Sequence, residues 1–150
     1  MLPAALTSPF EAPAAPVPHA ARRLLLVDDE SMVARAIARM LSDREVVVTY
    51  GGAEALGLLD SDDAFDAILC DVMMPGVDGP ALAEALAQSH PALRAKMVFI
   101  TGGAVTPAAQ SFLDRDDVVW LPKPIDRARL FAELARVTGA GLLPVADARA

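Results

Sequence analysis

The chain has 150 residues, 54% of them hydrophobic and 22% charged, which suits one ordinary domain with a buried core and excludes wholesale disorder. Its net charge of -7 argues against a protein whose main task is to neutralise nucleic-acid phosphates. A single cysteine, Cys70, and two histidines exclude an intramolecular disulfide framework and the usual Cys- or His-based metal sites.

The first 21 residues contain five prolines and one charged residue, Glu11, so we expect residues 1–21 to form a Pro/Ala-rich linker or tail. This segment lacks the basic start and compact apolar stretch of a secretory signal, and the longest apolar run is too short to span a membrane. We therefore expect a cytoplasmic protein with no membrane role. Residues 139–150 are again rich in Gly, Ala and Pro and are expected to be a C-terminal tail. The domain itself is predicted over residues 22–138.

Five short apolar runs within this domain lack the alternation of half-exposed strands. Such runs indicate strands buried on both faces, as in a parallel sheet. They are Leu24–Val27, Val46–Val48, Ala67–Leu69, Met97–Ile100 and Val118–Leu121.

The segments between these runs carry apolar residues at helical spacing. The resulting helices are predicted around Val33–Leu41, around Leu56 and Leu59, around Leu82–Leu86, after Pro107 with Thr106 as N-cap, and around Leu130–Val137 with Gly139 as C-terminal stop. Strands and helices that alternate in this way predict an α/β fold with a doubly wound, five-stranded parallel sheet.

Reactive side chains follow four of the five predicted strands. Asp28, Asp29 and Glu30 follow the first, Asp71 the third, Thr101 the fourth and Lys123 the fifth. Ligands of open α/β sheets bind beyond the carboxyl ends of the strands. Carboxylates that converge there repel one another and need a cation, and hard oxygen ligands favour Mg²⁺. A divalent ion, an ammonium and a hydroxyl are what a transferring phosphoryl group requires, with one carboxylate available as the nucleophile.

Four motifs carry a family resemblance: LLLVDDE, CDVMMPGVDG, VFITGG and WLPKPI, in this order. Over residues 22–138 the chain resembles a response-regulator receiver domain of two-component signalling, whose fold is a flavodoxin-like (βα)5 sheet. The resemblance implies a phosphoacceptor switch that takes a phosphoryl group from a histidine kinase or a histidine phosphotransfer protein. It also implies Mg²⁺ as the cofactor.

The resemblance assigns roles to individual residues. Asp71 matches the phosphoacceptor, Asp29 matches the residue that binds Mg²⁺ directly, and Asp28 matches its partner. Asp71 and the backbone carbonyl of Met73 complete the protein's ligands to the metal. The remaining matches stabilise the phosphoryl group or follow it when the domain switches: Thr101, Gly102 and Lys123, the last preceding a Lys–Pro bond that is typically cis.

Two features, at three positions, depart from the commonest pattern of the family. The aromatic switch residue is usually Tyr or Phe, whereas here it is Trp120, a larger ring with more area to bury. Met73 and Gly103 stand two residues beyond Asp71 and Thr101, and neither side chain can orient an attacking water molecule. We therefore expect a fairly long-lived aspartyl phosphate.

Several alternatives stay open at this point. A haloacid-dehalogenase-like phosphohydrolase also uses an aspartate nucleophile, but after its first strand and with a cap domain. A degenerate receiver would serve only as an interaction module, which the intact set of acidic residues, Thr101 and Lys123 argues against. The protein is either a stand-alone regulator or a receiver from a larger protein, and we favour the C-terminal receiver of a hybrid histidine kinase. The resemblance implies a readout or homodimer face on the fourth helix, fifth strand and last helix, without direct nucleic-acid binding.

Overall fold

The computed structural model describes residues 22–103 and 105–139. The predicted linker over residues 1–21 and the tail beyond Gly139 lie outside the described residues. Five strands alternate with helices along the chain, as the apolar runs predict. The strands are β1 (Arg23–Val27), β2 (Glu45–Thr49), β3 (Ala67–Asp71), β4 (Met97–Thr101) and β5 (Val119–Pro122).

Six helices connect and follow these strands within the described residues. They are α1 (Ser31–Met40), α2 (Gly52–Ser61), α3 (Gly79–Ser89), α4 (Pro91–Arg94), α5 (Pro107–Leu113) and α6 (Arg127–Thr138). The single turn α4 has no counterpart among the five predicted helices. It begins at Pro91 directly after His90, which is both the C-cap of α3 and the N-cap of α4. A four-residue helix is too short to show periodic apolar spacing, which explains why the sequence pattern did not reveal it.

The helix boundaries follow local capping chemistry. Thr106 accepts a hydrogen bond from the Ala109 backbone N–H at the start of α5, as predicted. Asp78 and Asp126 cap α3 and α6 in the same way. At the other end of α6, Gly139 adopts φ 85°, a left-handed conformation that glycine enters without steric cost. These caps fix where the chain enters and leaves the sheet.

The five strands form one parallel sheet in the order β2-β1-β3-β4-β5. This is the doubly wound, flavodoxin-like order, so the predicted fold class is confirmed. The chain moves from β1 to β2 on one side and then to β3 on the other, which places the topological switch between β1 and β3. A crevice therefore opens beyond the carboxyl ends of these two strands.

Alternate residues of the central strands pack on opposite faces of the sheet. Leu24, Leu26 and Leu69 pack with Ile37 of α1 and Leu130 of α6 on one face. The other face packs against α2, α3 and α5, and its members include Leu25, Ile68, Phe99, Leu82 and Phe112. Because both faces are covered, the central strands are apolar at successive positions, and their side chains exclude water from the base of the crevice. No helix within the described ranges is long and apolar enough to cross a membrane.

Candidate functional site

The carboxyl edge of the sheet brings three aspartates together. Asp71 is the last residue of β3, and Asp28 and Asp29 directly follow β1, its neighbour in the sheet. Ligand oxygens of these three side chains all lie within 4.8 Å of one another. Asp28 and Asp71 are buried, whereas Asp29 is exposed. The structure therefore assembles the acidic cluster that the positions after the strands predict.

Asp28 is held by hydrogen bonds to two backbone groups. Its N–H donates to the Thr49 carbonyl at 3.1 Å, and its Oδ1 accepts from the Glu30 N–H at 2.9 Å. Its Oδ2 is buried and has no hydrogen-bond partner within the described residues. Burial raises the pKa of Asp28 above its usual value, and the nearby charges of Glu30 and Asp29 add to that effect. A buried carboxylate oxygen without a hydrogen bond is costly unless a cation approaches it.

Asp71 lies at the bottom of the same crevice, with only 6% of its side chain exposed. Burial raises its pKa to about 6, and the negative charge of Asp28 acts in the same direction. Lys123 and a hydrogen bond with the backbone of Met73 oppose this rise. The carboxyl group is therefore mainly ionised at neutral pH, although it is much less acidic than an exposed aspartate.

Lys123 enters the cluster from the end of β5. Its Nζ lies 3.5 Å from Asp71 Oδ2 and 3.6 Å from Asp28 Oδ2. Burial alone would lower the pKa of Lys123, but the surrounding carboxylates raise it overall, so the side chain is a stable cation. The backbone N–H of Lys123 donates to the Thr101 carbonyl at 2.8 Å, which ties the lysine to the end of β4. The Lys123–Pro124 bond is cis, as the resemblance implies.

Thr101 and Gly102 line the β4 side of the site. Thr101 is buried, and its Oγ1 has no hydrogen-bond partner among the residues described. Gly102 packs closely on Lys123, because a Cβ placed there would lie 3.0 Å from Lys123 Cβ. The threonine thus offers an unused hydroxyl, and the glycine leaves room for the lysine stem.

Two other predicted site residues lie at the surface. Met73, two residues beyond Asp71, is 39% exposed, and Trp120 on the edge strand β5 is 38% exposed. Trp120 pairs through its backbone with Phe99 of β4. In the described conformation the indole is therefore only partly packed.

Glu30 follows the acidic pair in the sequence but has no role in the pattern of motifs, and it too lies at the site. Its Oε1 lies 3.5 Å from Lys123 Nζ, so the lysine faces a third carboxylate. Its position directly after the acidic pair is the only signal in the sequence, and an exposed glutamate at the start of a helix is ordinarily a surface residue. Glu30 and Lys123 are 93 positions apart in the sequence, so only the folded structure reveals their contact.

The neighbouring loop shows a second constraint on the site. A Cβ at Gly79 would lie 2.8 Å from the Asp71 carbonyl oxygen and 2.9 Å from Val72 Cα. The backbone at the start of α3 therefore approaches the backbone after Asp71 more closely than any other residue type allows. Asp78 beside it caps α3 by accepting a hydrogen bond from the Ala81 N–H.

Comparisons with known proteins agree on one family. The family model described as response regulator receiver domain matches residues 24–135. The sensor kinase CckA of Brucella abortus (strain 2308) is 33% identical over 110 residues, which cover 71% of this chain and 11% of CckA. The DNA-binding transcriptional regulator NtrC of Escherichia coli (strain K12) is 35% identical over 103 residues, which cover 67% of this chain and 21% of NtrC. The chain thus spans less than a quarter of the length of either relative.

A solved structure shows the same relationship. The response regulator receiver protein from Sinorhizobium medicae WSM419 has a TM-score of 0.68 and 26% identity, and the match covers 81% of this chain and 97% of that one. Receiver domains of this kind take a phosphoryl group from histidine kinases or phosphotransfer proteins. The chain belongs to the response regulator receiver domain family, and its function is that of a phosphoacceptor in two-component signalling.

Proposed function

We propose that Asp71 is the phosphoacceptor of this domain, and that Asp28, Asp29, Lys123 and Thr101 assist the transfer. The observation that carries this proposal is the convergence of three carboxylates and one ammonium at the switch point of the sheet. Asp71 is the member best placed as nucleophile, because it ends the central strand β3 and lies in the crevice with its ammonium partner beside it. Its pKa of about 6 leaves the carboxylate ionised at neutral pH.

The transfer forms a β-aspartyl phosphate. A carboxylate oxygen of Asp71 attacks phosphorus in line, the P–N bond of the donor phosphohistidine breaks, and the electron pair returns to the imidazole. Lys123 already faces Asp71, so a short movement of its flexible stem brings the ammonium to the new phosphoryl oxygens. The Thr101 hydroxyl, which has no partner in the described structure, can donate to one of the same oxygens. Gly102 gives the lysine the space for this movement.

The donor set of the site fits Mg²⁺. Its ligands are carboxylate oxygens, which hard divalent cations prefer, and the buried Oδ2 of Asp28 lacks the hydrogen bond that would satisfy it otherwise. Asp28, Asp29, Asp71 and the backbone carbonyl of Met73 would hold the ion. When bound, Mg²⁺ supplies positive charge that offsets the charge developing on the phosphoryl oxygens. A single ammonium cannot by itself neutralise the three aspartates of the cluster.

The product state acts as a signal rather than as the intermediate of a turnover enzyme. Phosphorylation gives Thr101 and Lys123 new partners and thereby shifts the balance between two conformations of the domain. We propose that the change is read on the face of α5, β5 and α6, where Trp120 is the candidate aromatic switch and where a homodimer would form. No direct contact with nucleic acid is part of this proposal, in keeping with the net charge of -7.

The wider context forms part of the same proposal. We assign the domain to residues 22–138 of a cytoplasmic signalling protein whose partner is a histidine kinase or a histidine phosphotransfer protein. The similarity to CckA supports an origin in a hybrid histidine kinase, while the similarity to NtrC supports the alternative of a response regulator. The length of the parent gene and the domains it encodes distinguish the two.

Intact-protein mass spectrometry after incubation with acetyl phosphate tests the proposal. With Mg²⁺ the wild-type chain should gain the mass of one phosphoryl group, and with EDTA the gain should be largely lost. Asp71→Asn should not gain it under either condition. Steady release of phosphate from phosphomonoesters, without a stable adduct, would instead support a phosphohydrolase.

A further inference from the structure

Among the charged groups around Lys123, the Glu30 carboxylate has no role in the proposed phosphotransfer. Three carboxylate oxygens lie at nearly equal distances from Lys123 Nζ: 3.6 Å for Asp28, 3.5 Å for Glu30 and 3.5 Å for Asp71. The closest ion pair of Arg23, by contrast, has a distance of 2.8 Å. The ammonium therefore lies between the three carboxylates and forms a short ion pair with none of them.

The three partners differ in their exposure to solvent. The side chains of Asp28 and Asp71 are 1% and 6% exposed, whereas 63% of the Glu30 side chain is exposed. Glu30 thus approaches Lys123 from the mouth of the crevice, and the two aspartates approach it from the base. Because water and salt screen the exposed pair most, its attraction for the ammonium is the weakest of the three in solution.

The backbone of Glu30 is fixed while its side chain has no structural task. Glu30 occupies the N-cap position of α1, but its side chain makes no capping hydrogen bond to the described helix. Its N–H donates to Asp28 Oδ1, and its carbonyl accepts from Ala34. These bonds are independent of the side chain, so changes to the carboxylate leave the loop in place.

We propose that Glu30 is a positioning residue that keeps the Lys123 ammonium shared between the mouth and the base of the crevice until a phosphoryl group arrives. This inference rests on the proposed function of Asp71 and Lys123. In the unphosphorylated domain Glu30 draws the ammonium outward from Asp71. Phosphoryl oxygens on Asp71 then attract the ammonium more strongly than the screened glutamate does, and Lys123 moves inward. Glu30 therefore slows phosphorylation and has no effect once the phosphoryl group is in place.

Three variants of the full chain separate this role from a general effect of charge. Glu30→Gln removes the charge at constant size, and Glu30→Asp keeps the charge but is one methylene too short to reach Lys123. Glu84→Gln is the matched control, because Glu84 is an exposed glutamate on α3, away from the acidic cluster.

In the reaction with acetyl phosphate, the P–O bond to the acetyl group breaks, the bond to Asp71 forms and acetate leaves.

We expect Glu30→Gln and Glu30→Asp to be phosphorylated about two- to fivefold faster than the wild type, the range that the loss of an exposed ion pair allows. The phosphoryl group should be lost at the wild-type rate from all variants, and Glu84→Gln should match the wild type throughout. If charge alone mattered, Glu30→Asp would behave like the wild type. That result, or wild-type rates in both Glu30 variants, would overturn the inference.

A spectroscopic measurement needs no phosphorylation. The chain has two lysines, Lys96 and Lys123, so 13C-lysine labelling gives two side-chain signals with Lys96 as internal reference. Glu30→Gln and Glu30→Asp should each lower the pKa of Lys123 and leave Lys96 unchanged, and an unmoved Lys123 signal would refute the contact. Failure of the wild type to take up phosphate would refute the proposed function, and this inference with it. Normal uptake combined with an unmoved signal would refute the inference alone.

Discussion

Gly102 lies directly against the aliphatic stem of Lys123. A Cβ at Gly102 would lie 3.0 Å from Lys123 Cβ and 3.1 Å from Cδ, closer than side chains ordinarily pack. The ammonium at the end of that stem is shared among three carboxylates at 3.5–3.6 Å. The absence of a side chain at position 102 therefore helps to set where the phosphoryl-stabilising charge is located.

Gly102→Ala should slow phosphorylation. The added methyl group forces the lysine stem to move by a few tenths of an ångström, and displacements near 1 Å at such sites cost up to about 100-fold in rate. We expect a loss of about three- to tenfold in the rate of phosphorylation by acetyl phosphate. The matched control is Gly57→Ala, since a Cβ at Gly57 in α2 meets nothing within 4 Å. That variant should keep the wild-type rate and gain about 0.5–1 kcal/mol of stability. Equal rates in Gly102→Ala and the wild type would contradict the assigned contact.

Asp71 should destabilise the folded domain at neutral pH. Its pKa rises from 3.8 to about 6 on folding, so the folded state binds the proton more tightly than the unfolded state does. The resulting penalty is absent below about pH 4, grows between pH 4 and 6, and is constant above about pH 7. A shift of this size corresponds to about 1–3 kcal/mol.

Urea denaturation of Asp71→Asn measures this penalty. The variant should be more stable than the wild type by about 1–3 kcal/mol at pH 7.5, and the gain should shrink towards pH 4. Mg²⁺ should stabilise the wild type more than the variant, because the ion neutralises the charge that Asn lacks. A gain that grew as the pH fell would contradict the sign of the pKa shift.

Trp120 should report the conformational change, because it is the single tryptophan of the chain and is 38% exposed on an edge strand. We expect addition of a phosphoryl donor with Mg²⁺ to change its fluorescence and to reduce its quenching by acrylamide as the indole moves inward. Asp71→Asn should not respond to the donor. Unchanged quenching in fully phosphorylated wild type would rule out Trp120 as an aromatic switch.

The aspartyl phosphate should be long-lived. Met73 is partly exposed beside the site, and its thioether is too weak an acceptor to orient a water molecule. Met73→Asn introduces an amide that can hold water near phosphorus, so loss of the phosphoryl group should accelerate several-fold. Met32→Asn, at an exposed methionine of α1, should leave the rate unchanged. Complete loss from the wild type within seconds in Mg²⁺ buffer would contradict this expectation.

The sequence predicted the positions of the strands and of the acidic cluster for the same physical reason. Strands buried on both faces must be apolar throughout, so the first polar residue marks where each reaches the sheet edge. Asp71 and Thr101 proved to be the last residues of β3 and β4 rather than the residues after them, because backbone pairing continues past the apolar run. At the other end of a strand, β5 begins at Val119, one residue later than predicted.

Contacts between distant side chains were not predictable in this way. The pairing of Glu30 with Lys123 depends on the placement of β1 and β5 around the switch point, and no local pattern encodes it. The fit of Gly102 to Lys123 is likewise a matter of distances between neighbouring strand ends. His90 likewise lies 3.6 Å from Asp63, a contact that no local pattern in the sequence predicts.

Transfer of radiolabelled phosphate from a histidine kinase tests the central claim most directly. Label on the kinase phosphohistidine should move to the wild-type chain in Mg²⁺ and should not move to Asp71→Asn. Asp78→Asn is the matched control, because asparagine caps a helix as well as aspartate does and the residue lies in the same loop. The account predicts wild-type transfer to Asp78→Asn. Label that still reached Asp71→Asn, or that never left the kinase for the wild-type chain, would contradict the assignment of Asp71 as the phosphoacceptor.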